Sequence, residues 1–238
     1  MSRAGEPSSV VIIAAMAGEL KPLVRGWRHE LRKGVDLWTL GPDKGGNLCV
    51  AACAGMGAGA ALRALAVAEE SGKAGILVSV GWAGALDAAF AAGKAFPVAM
   101  VVDADSGQRF PMAGGEGGCL LVSNALVADA GEKRRLAAVH GPGLVDMEAA
   151  ALAAVARRRG IPMRAVKGVS DAFKQSLPDF NPFIREGGRF DLAAFVLYSL
   201  PRPALWPALL RLGIQGGRSA RAMAGLLKGF LQGLQTRN

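Results

Sequence analysis

Leu48-Cys49-Val50-Ala51-Ala52-Cys53-Ala54, Gly55-Met56-Gly57-Ala58-Gly59, an alanine- and leucine-rich run over 60–70, and Ile76-Leu77-Val78-Ser79-Val80 together decide the fold. The first run is apolar throughout, as in a strand covered on both faces; a strand with one wet face would alternate. Glycines end it, the run over 60–70 has the composition of a helix packed on a sheet, and 76–80 reads as the next buried strand. Strand, turn, helix and strand make a βαβ unit, the crossover that joins parallel strands.

The same alternation continues outward in both directions. Residues 10–15, 38–40, 97–102, 120–122 and 163–169 read as further strands, and helices are expected over 19–32, 132–140 and 147–159. The last helix ends in Arg157-Arg158-Arg159-Gly160, with cations at the negative helix end and a glycine stop. The expected fold is α/β: a three-layer α/β/α sandwich around a mixed, largely parallel sheet. Beyond Asp171, Pro178, Pro182, Pro201, Pro203 and Pro207 punctuate a helical C-terminal extension. Residues 1–180 are expected to form the domain, and 181–238 a basic, amphipathic extension of it.

With 238 residues, 51% hydrophobic and 20% charged, the chain has ample core material, which excludes disorder. The net charge of +9 is concentrated late. From Arg185 onward, Arg185, Arg189, Arg202, Arg211, Arg218, Arg221, Lys228 and Arg237 stand against Glu186 and Asp191, which places six of the nine excess charges there. Apolar clusters separate them without the stacking aromatics of RNA-binding modules, so nucleic acid is not an expected partner. No run reaches transmembrane length, and membrane contact is expected to be peripheral at most. The apolar run at 10–15 is too short for a signal peptide, and Glu6 sits where its basic region would be. Three cysteines (Cys49, Cys53, Cys119) without C-x-x-C spacing and two histidines (His29, His140) imply no metal and reduced thiols in a cytoplasmic protein.

In open α/β sheets ligands bind beyond the carboxyl ends of the strands. Glu19, Gly55 to Gly57, Gly81 to Gly84, Glu148 and Asp171 all fall at such ends. One such acid would be read as a solvated or helix-capping group, but three together point to one active site. Gly55-x-Gly57-x-Gly59 lacks the order of a dinucleotide fingerprint. Its amides fit a water, phosphate or ribose oxygen, or the turn simply lets a helix approach the sheet.

Residues 10–174, roughly two-thirds of the chain, resemble the methylthioadenosine/S-adenosylhomocysteine nucleosidases of the nucleoside phosphorylase/nucleosidase superfamily, the purine and uridine phosphorylase family. The motifs are Ala-Met-x-x-Glu at 15–19, Gly-x-Gly at 55–57, Gly-x-Ala-Gly-x-Leu at 81–86, Asp-Met-Glu at 146–148 and Ser-Asp at 170–171. The resemblance implies cleavage of the N-ribosidic bond of a purine nucleoside, with no cofactor and no metal. Asp171, supported by Ser170, would protonate the purine at N7, which asks for a carboxyl pKa raised by burial. Glu148 would hold the ribose hydroxyls and stabilise the cationic transition state, with Met147 against the sugar. Glu19 would activate water, Val127 would contact the base through its backbone, and Gly55, Gly57, Gly81 and Trp82 would complete the binding wall.

Phosphorylases of this superfamily carry arginines in the glycine turns. None stands at 55–59 or 81–84, and Arg63 lies more than a helical turn beyond the first. Hydrolysis is therefore expected; phosphorolysis with inorganic phosphate, or a non-catalytic nucleoside-binding module, are the alternatives. Trp82 replaces a small polar residue of the nucleosidases and Lys167 an arginine. The resemblance also implies a homo-oligomer. In the extension, Arg189-Phe190-Asp191-Leu192, Arg202-Pro203 and Trp206 to Gly213 resemble the hopanoid-associated phosphorylases. That likeness implies a 5′-modified, lipid-linked nucleoside such as adenosylhopane, in hopanoid biosynthesis. It also implies contact of segments 204–212 and 222–234 with the inner membrane surface, unless the extension packs on the core or on a partner subunit.

Overall fold

The computed structural model describes residues 9–42, 48–123, 129–175 and 177–235. The first half holds β1 (Ser9–Ala14), α1 (Ala17–Leu20), β2 (Arg28–Arg32), β3 (Val35–Leu40), β4 (Cys49–Cys53), α2 (Ala58–Ala68), β5 (Ala74–Ala85) and β6 (Ala95–Asp103). The second holds β7 (Arg109–Pro111), β8 (Cys119–Ser123), α3 (Ala130–His140), β9 (Leu144–Asp146), α4 (Ala149–Arg159), β10 (Met163–Asp171), α5 (Leu192–Ser199) and α6 (Trp206–Gln235).

All ten strands belong to one sheet. β1, buried at every position, lies between β4 and β5 and runs parallel to both. β5 also pairs in parallel with β10. From there the path runs through β6, β8 and β9 and returns antiparallel to β5, closing five strands into a ring. β4, β3 and β2 extend the open edge in antiparallel order, and β7 hangs on β6. Five of these pairings are parallel and five antiparallel, so the sheet is more evenly mixed than the βαβ reading suggests.

Two apolar layers flank the sheet. One joins α2 and α4 to alternate residues of the strands, among them Val11, Ile13, Val50, Leu77 and Leu121. The other joins α1 and α6 to Val10, Ile12, Ala51, Val78 and Val80. α6 contributes Ala220, Met223, Ala224 and Leu227, a helical stripe that is almost wholly buried. Burial of Met223 and Leu227 stabilises by about 1.5–3 kcal/mol each. The C-terminal half of α6 thus forms a layer of the fold.

Three local expectations change. Of the expected 19–32 helix only Glu19 and Leu20, the end of Ala17–Leu20, are helical; Arg28–Arg32 is an edge strand paired with β3. Leu31 is the one aliphatic residue of that strand and is 69% exposed, so a helix there would have no apolar face to bury. Lys33 and Gly34, at φ 51° and 73°, make the two-residue turn that favours a hairpin instead. Gly81 to Gly84 lie within β5 and do not form a turn, because β10 and β9 continue to pair along them. The helix expected from 147 begins at Ala149, with Glu148 as its cap residue. Among the described residues no helix is long and apolar enough to cross a membrane.

Candidate active site

Glu19, Glu148 and Asp171 arrive from three elements at one cavity of about 420 Å³. Glu19 and Asp171 are buried, Glu148 is half-buried, and each is held differently.

Glu19 is the third residue of α1, so its side chain folds back on the helix start. Oε2 accepts from the amides of Ala15 (2.9 Å) and Met16 (2.8 Å), and Oε1 from that of Trp82 (2.7 Å). One lone pair of Oε1 remains for a substrate or water. Burial raises its pKa above the usual carboxylate value despite these three donors. Gly81 makes room, since a Cβ there would stand 3.0 Å from Oε1.

Glu148 follows β9. Its Oε1 accepts from the amide of Gly57 (2.7 Å), linking the α4 start to the glycine turn. Burial, and then the charge of Asp146, push it up to about 7. Asp146 is itself buried; Lys167 Nζ lies 2.8 Å from its Oδ2, and its carboxylate accepts from the Ala149 amide at 3.1 Å. Burial alone would lower the pKa of Lys167, but Asp146, Glu148 and Glu19 outweigh it and hold the ammonium above its ordinary value.

Asp171 ends β10. Ser170 Oγ donates to its Oδ1 at 2.6 Å, and Lys133 of α3 bonds its Oδ2. Lys133 and Asp171 are about 1% and 4% exposed at their side chains. Gly84 faces both: a Cβ there would be 3.1 Å from Asp171 Oδ2 and from Lys133 Cε.

Met147, Ser170 and Trp82 line the same cavity. Gly55, Gly57 and Gly81, expected in the binding wall, do not line the cavity; Gly57 and Gly81 reach the site through Glu148 and Glu19. Gly55, at φ 123°, lies so close to the Gly188 carbonyl that a Cβ would collide with it, and the Met56 amide donates to that oxygen at 2.7 Å. Val127 lies outside the described residues. Arg63 donates to the carbonyls of Ala54 (2.9 Å) and Gly187 (2.8 Å), clasping the extension to the turn. The Cys49 and Cys53 thiols are pushed up to about 12 by burial, which leaves them protonated and unreactive.

Asp146 and Lys133 also line the cavity, and both were missed as functional residues from sequence. Asp146 appears there only as the first letter of a motif. Lys133 sits among Glu132, Arg134 and Arg135 in a helix that reads as a solvated surface. Its one sequence signal is that it shares a helical face with Leu136 and Ala137.

The rest of the lining is largely apolar and comes from the chain beyond β10: Leu177, Phe180, Phe190, Leu192, Phe195, Leu209 and Leu212. Packed aromatic rings stiffen it, with Phe195 within 5.2–5.4 Å of Phe180, Phe183 and Phe190. The site therefore combines an anionic, hydrogen-bonded lining with a hydrocarbon one.

Residues 115–189 match the family model described as the Phosphorylase superfamily, a span that contains Asp146, Glu148, Ser170 and Asp171. The fold is that of solved nucleosidases. The Arabidopsis thaliana 5′-methylthioadenosine nucleosidase aligns over 98% of both chains at 19% identity, with a TM-score of 0.73. The futalosine hydrolase of Helicobacter pylori aligns over 94% of this chain and 97% of its own, at 13% identity and a TM-score of 0.68. The S-adenosylhomocysteine nucleosidase of Streptococcus pyogenes, solved in complex with 5-methylthiotubericidin, covers 95% of this chain and 98% of its own, at 18% identity and a TM-score of 0.64. No curated protein sequence matches the chain. The resemblance to the nucleoside phosphorylase/nucleosidase superfamily read from the motifs thus holds in the family match and in the fold.

Proposed function

We propose that the protein hydrolyses the N-ribosidic bond of a 5′-modified adenosine whose 5′ group is apolar, adenosylhopane in hopanoid biosynthesis being the substrate that the extension's motifs suggest. The observation that carries the reading is the convergence of Glu19, Glu148 and Asp171 on one cavity whose remaining lining is largely hydrocarbon. Breaking this bond develops positive charge on the ribose and negative charge on the purine. Glu148, fixed by the Gly57 amide, faces the sugar and stabilises the cation. Glu19 uses its remaining lone pair to take a proton from the attacking water. Asp171 and Ser170 face the base and deliver the proton to N7.

Water is favoured over phosphate by what the cations already do. Lys133 is on Asp171, Lys167 on Asp146 and Arg63 on two carbonyls. Four acids (Glu19, Asp146, Glu148, Asp171) against two lysines leave the cavity poorly suited to a dianion.

The cavity suits a substrate delivered from a bilayer. Leu192 and Phe195 of α5 and Leu209 and Leu212 of α6 line the cavity, while Leu197, Leu200, Trp206 and Leu210 are exposed on or beside the same two helices, with Arg202 and Arg211 among them.

The test is adenine release from adenosine, methylthioadenosine, S-adenosylhomocysteine and a 5′-alkyl adenosine, each with and without phosphate. Release without phosphate, fastest for the alkyl substrate and reduced by about 10²-fold or more in Glu148→Gln, is expected. Strict phosphate dependence would overturn the hydrolytic reading. Silence on all four would leave a nucleoside-binding module.

A further inference from the structure

The hydrolytic reading requires a proton at N7, and Asp171 is buried together with a counter-ion. We propose that Lys133 is the source of that proton, a positioning residue that loads Asp171 during bond cleavage. The geometry balances donors before and after transfer. The Lys133 ammonium has three N–H groups and three acceptors: Asp171 Oδ2, the Ala172 carbonyl at 3.2 Å and the Gln175 carbonyl at 3.3 Å. After one proton passes to Asp171, the neutral amine keeps two N–H groups for the two carbonyls. No buried donor is stranded in either state.

The step closes chemically. As the C1′–N9 electron pair departs onto the purine, Lys133 gives a proton to the Asp171 carboxylate, which passes one on to N7, leaving a neutral lysine and an ionised aspartate. Water bonds to C1′ and its proton passes to Glu19. After adenine leaves, Lys133 recovers a proton from solvent and Glu19 releases one, so the sum is nucleoside plus water to adenine plus the free sugar. Burial makes the transfer feasible, because separated charges lose their advantage over a neutral pair where water is excluded.

The surroundings keep the lysine in place. Asp129 caps α3 by accepting from the Glu132 amide at 2.7 Å, and the Lys133 amide donates to the Asp129 carbonyl at 2.9 Å. The other charged groups of the cavity are Asp146 with its partner Lys167, Glu148 at the start of α4, and Glu19 of α1. None of them bonds Lys133.

The test uses two leaving groups on the same 5′-modified ribose: adenine, which must be protonated, and 4-nitrophenolate, which need not be. Two variants separate charge from proton supply. Lys133→Met removes both, while Lys133→Arg keeps a cation that does not deprotonate. Both are expected to lose about 10²-fold or more in kcat for adenine release, with KM changed little and nitrophenyl riboside cleavage within about 3-fold of wild type. Rescue of adenine release by arginine, or an equal loss on both substrates, would overturn the assignment. If neither variant folds, the wild-type pH profile decides. Adenine release falling on the alkaline side while nitrophenolate release stays flat supports the relay; parallel profiles overturn it. Wild-type silence toward both substrates would instead sink the hydrolytic reading, and the relay with it.

Discussion

Glu148 carries a cost that can be read in stability. Its pKa is raised from an ordinary 4.5 to about 7 in the folded chain, so between those values the native state holds a proton that the unfolded chain has released. Stability from this group is therefore present at the acid side and lost as pH rises through about 7. Denaturant midpoints of the ligand-free protein should fall between about pH 5 and pH 8, and Glu148→Gln should flatten part of that fall. Glu19, raised in the same direction by burial, adds to the fall. A variant that falls as steeply as wild type would exclude Glu148 as the group. Gly84 gives a second prediction at this scale. Its missing Cβ leaves space for Asp171, Lys133 and Val145 within 3.1–3.3 Å. Gly84→Ala should cost about 1–3 kcal/mol by overpacking and reduce turnover more than it raises KM. Unchanged kinetics would show that the pair can move without consequence.

Between elements, the contact that matters most is the one from α6 to β5 through Trp82. Its indole Nε1 donates to the Gly216 carbonyl at 3.1 Å, its ring lies against Gly18 and Gly216, and its backbone amide holds Glu19. Trp82→Phe should lose about 1 kcal/mol in denaturant unfolding from the missing hydrogen bond. It should keep Glu19 in place and change kcat little. A large loss of kcat would mean that the side chain, not the backbone, positions the acid. The same contact shows where sequence reading succeeds and stops. β1, β4, α2 and the carboxylates at strand ends are legible because each follows from a local apolar run and its terminus. β2 is not, since an edge strand exposes most of its side chains and its Arg-His-Glu-Leu-Arg sequence has no strand period to show. The second half of β5 is hidden because its glycines read as a turn, although they serve close approach to Glu19 and Asp171. Lys133 is hidden for a different reason: its acceptors lie on β10 and the chain just after it, and no local pattern marks a partner 38 residues away.

Across the whole molecule, charge and apolar surface coincide on α5, α6 and the link between them, the helices that also line the cavity. Leu197, Leu210 and Trp206 are 71%, 68% and 53% exposed, and Arg202 lies with its guanidinium 3.8 Å over the Tyr198 ring. The buried stripe of Ala220, Met223, Ala224 and Leu227 ties α6 to the sheet, so the first turns of that helix are free to meet a surface while the rest holds the fold. Removing the extension would therefore unfold the protein rather than test the surface. The informative variant is Leu197→Glu with Leu210→Glu, which places two charges on exposed positions and leaves the cavity wall intact. Wild type should float with vesicles containing anionic lipid, bind less as salt rises, and bind neutral vesicles weakly, because each basic residue near an anionic surface contributes about 1 kcal/mol. The double variant should stay with the soluble fraction while releasing adenine from water-soluble methylthioadenosine at the wild-type rate. Its turnover should fall only for a substrate embedded in the bilayer. Equal flotation of the two proteins would move the contact elsewhere on the molecule, and equal loss on both substrates would show that these leucines support the site from within.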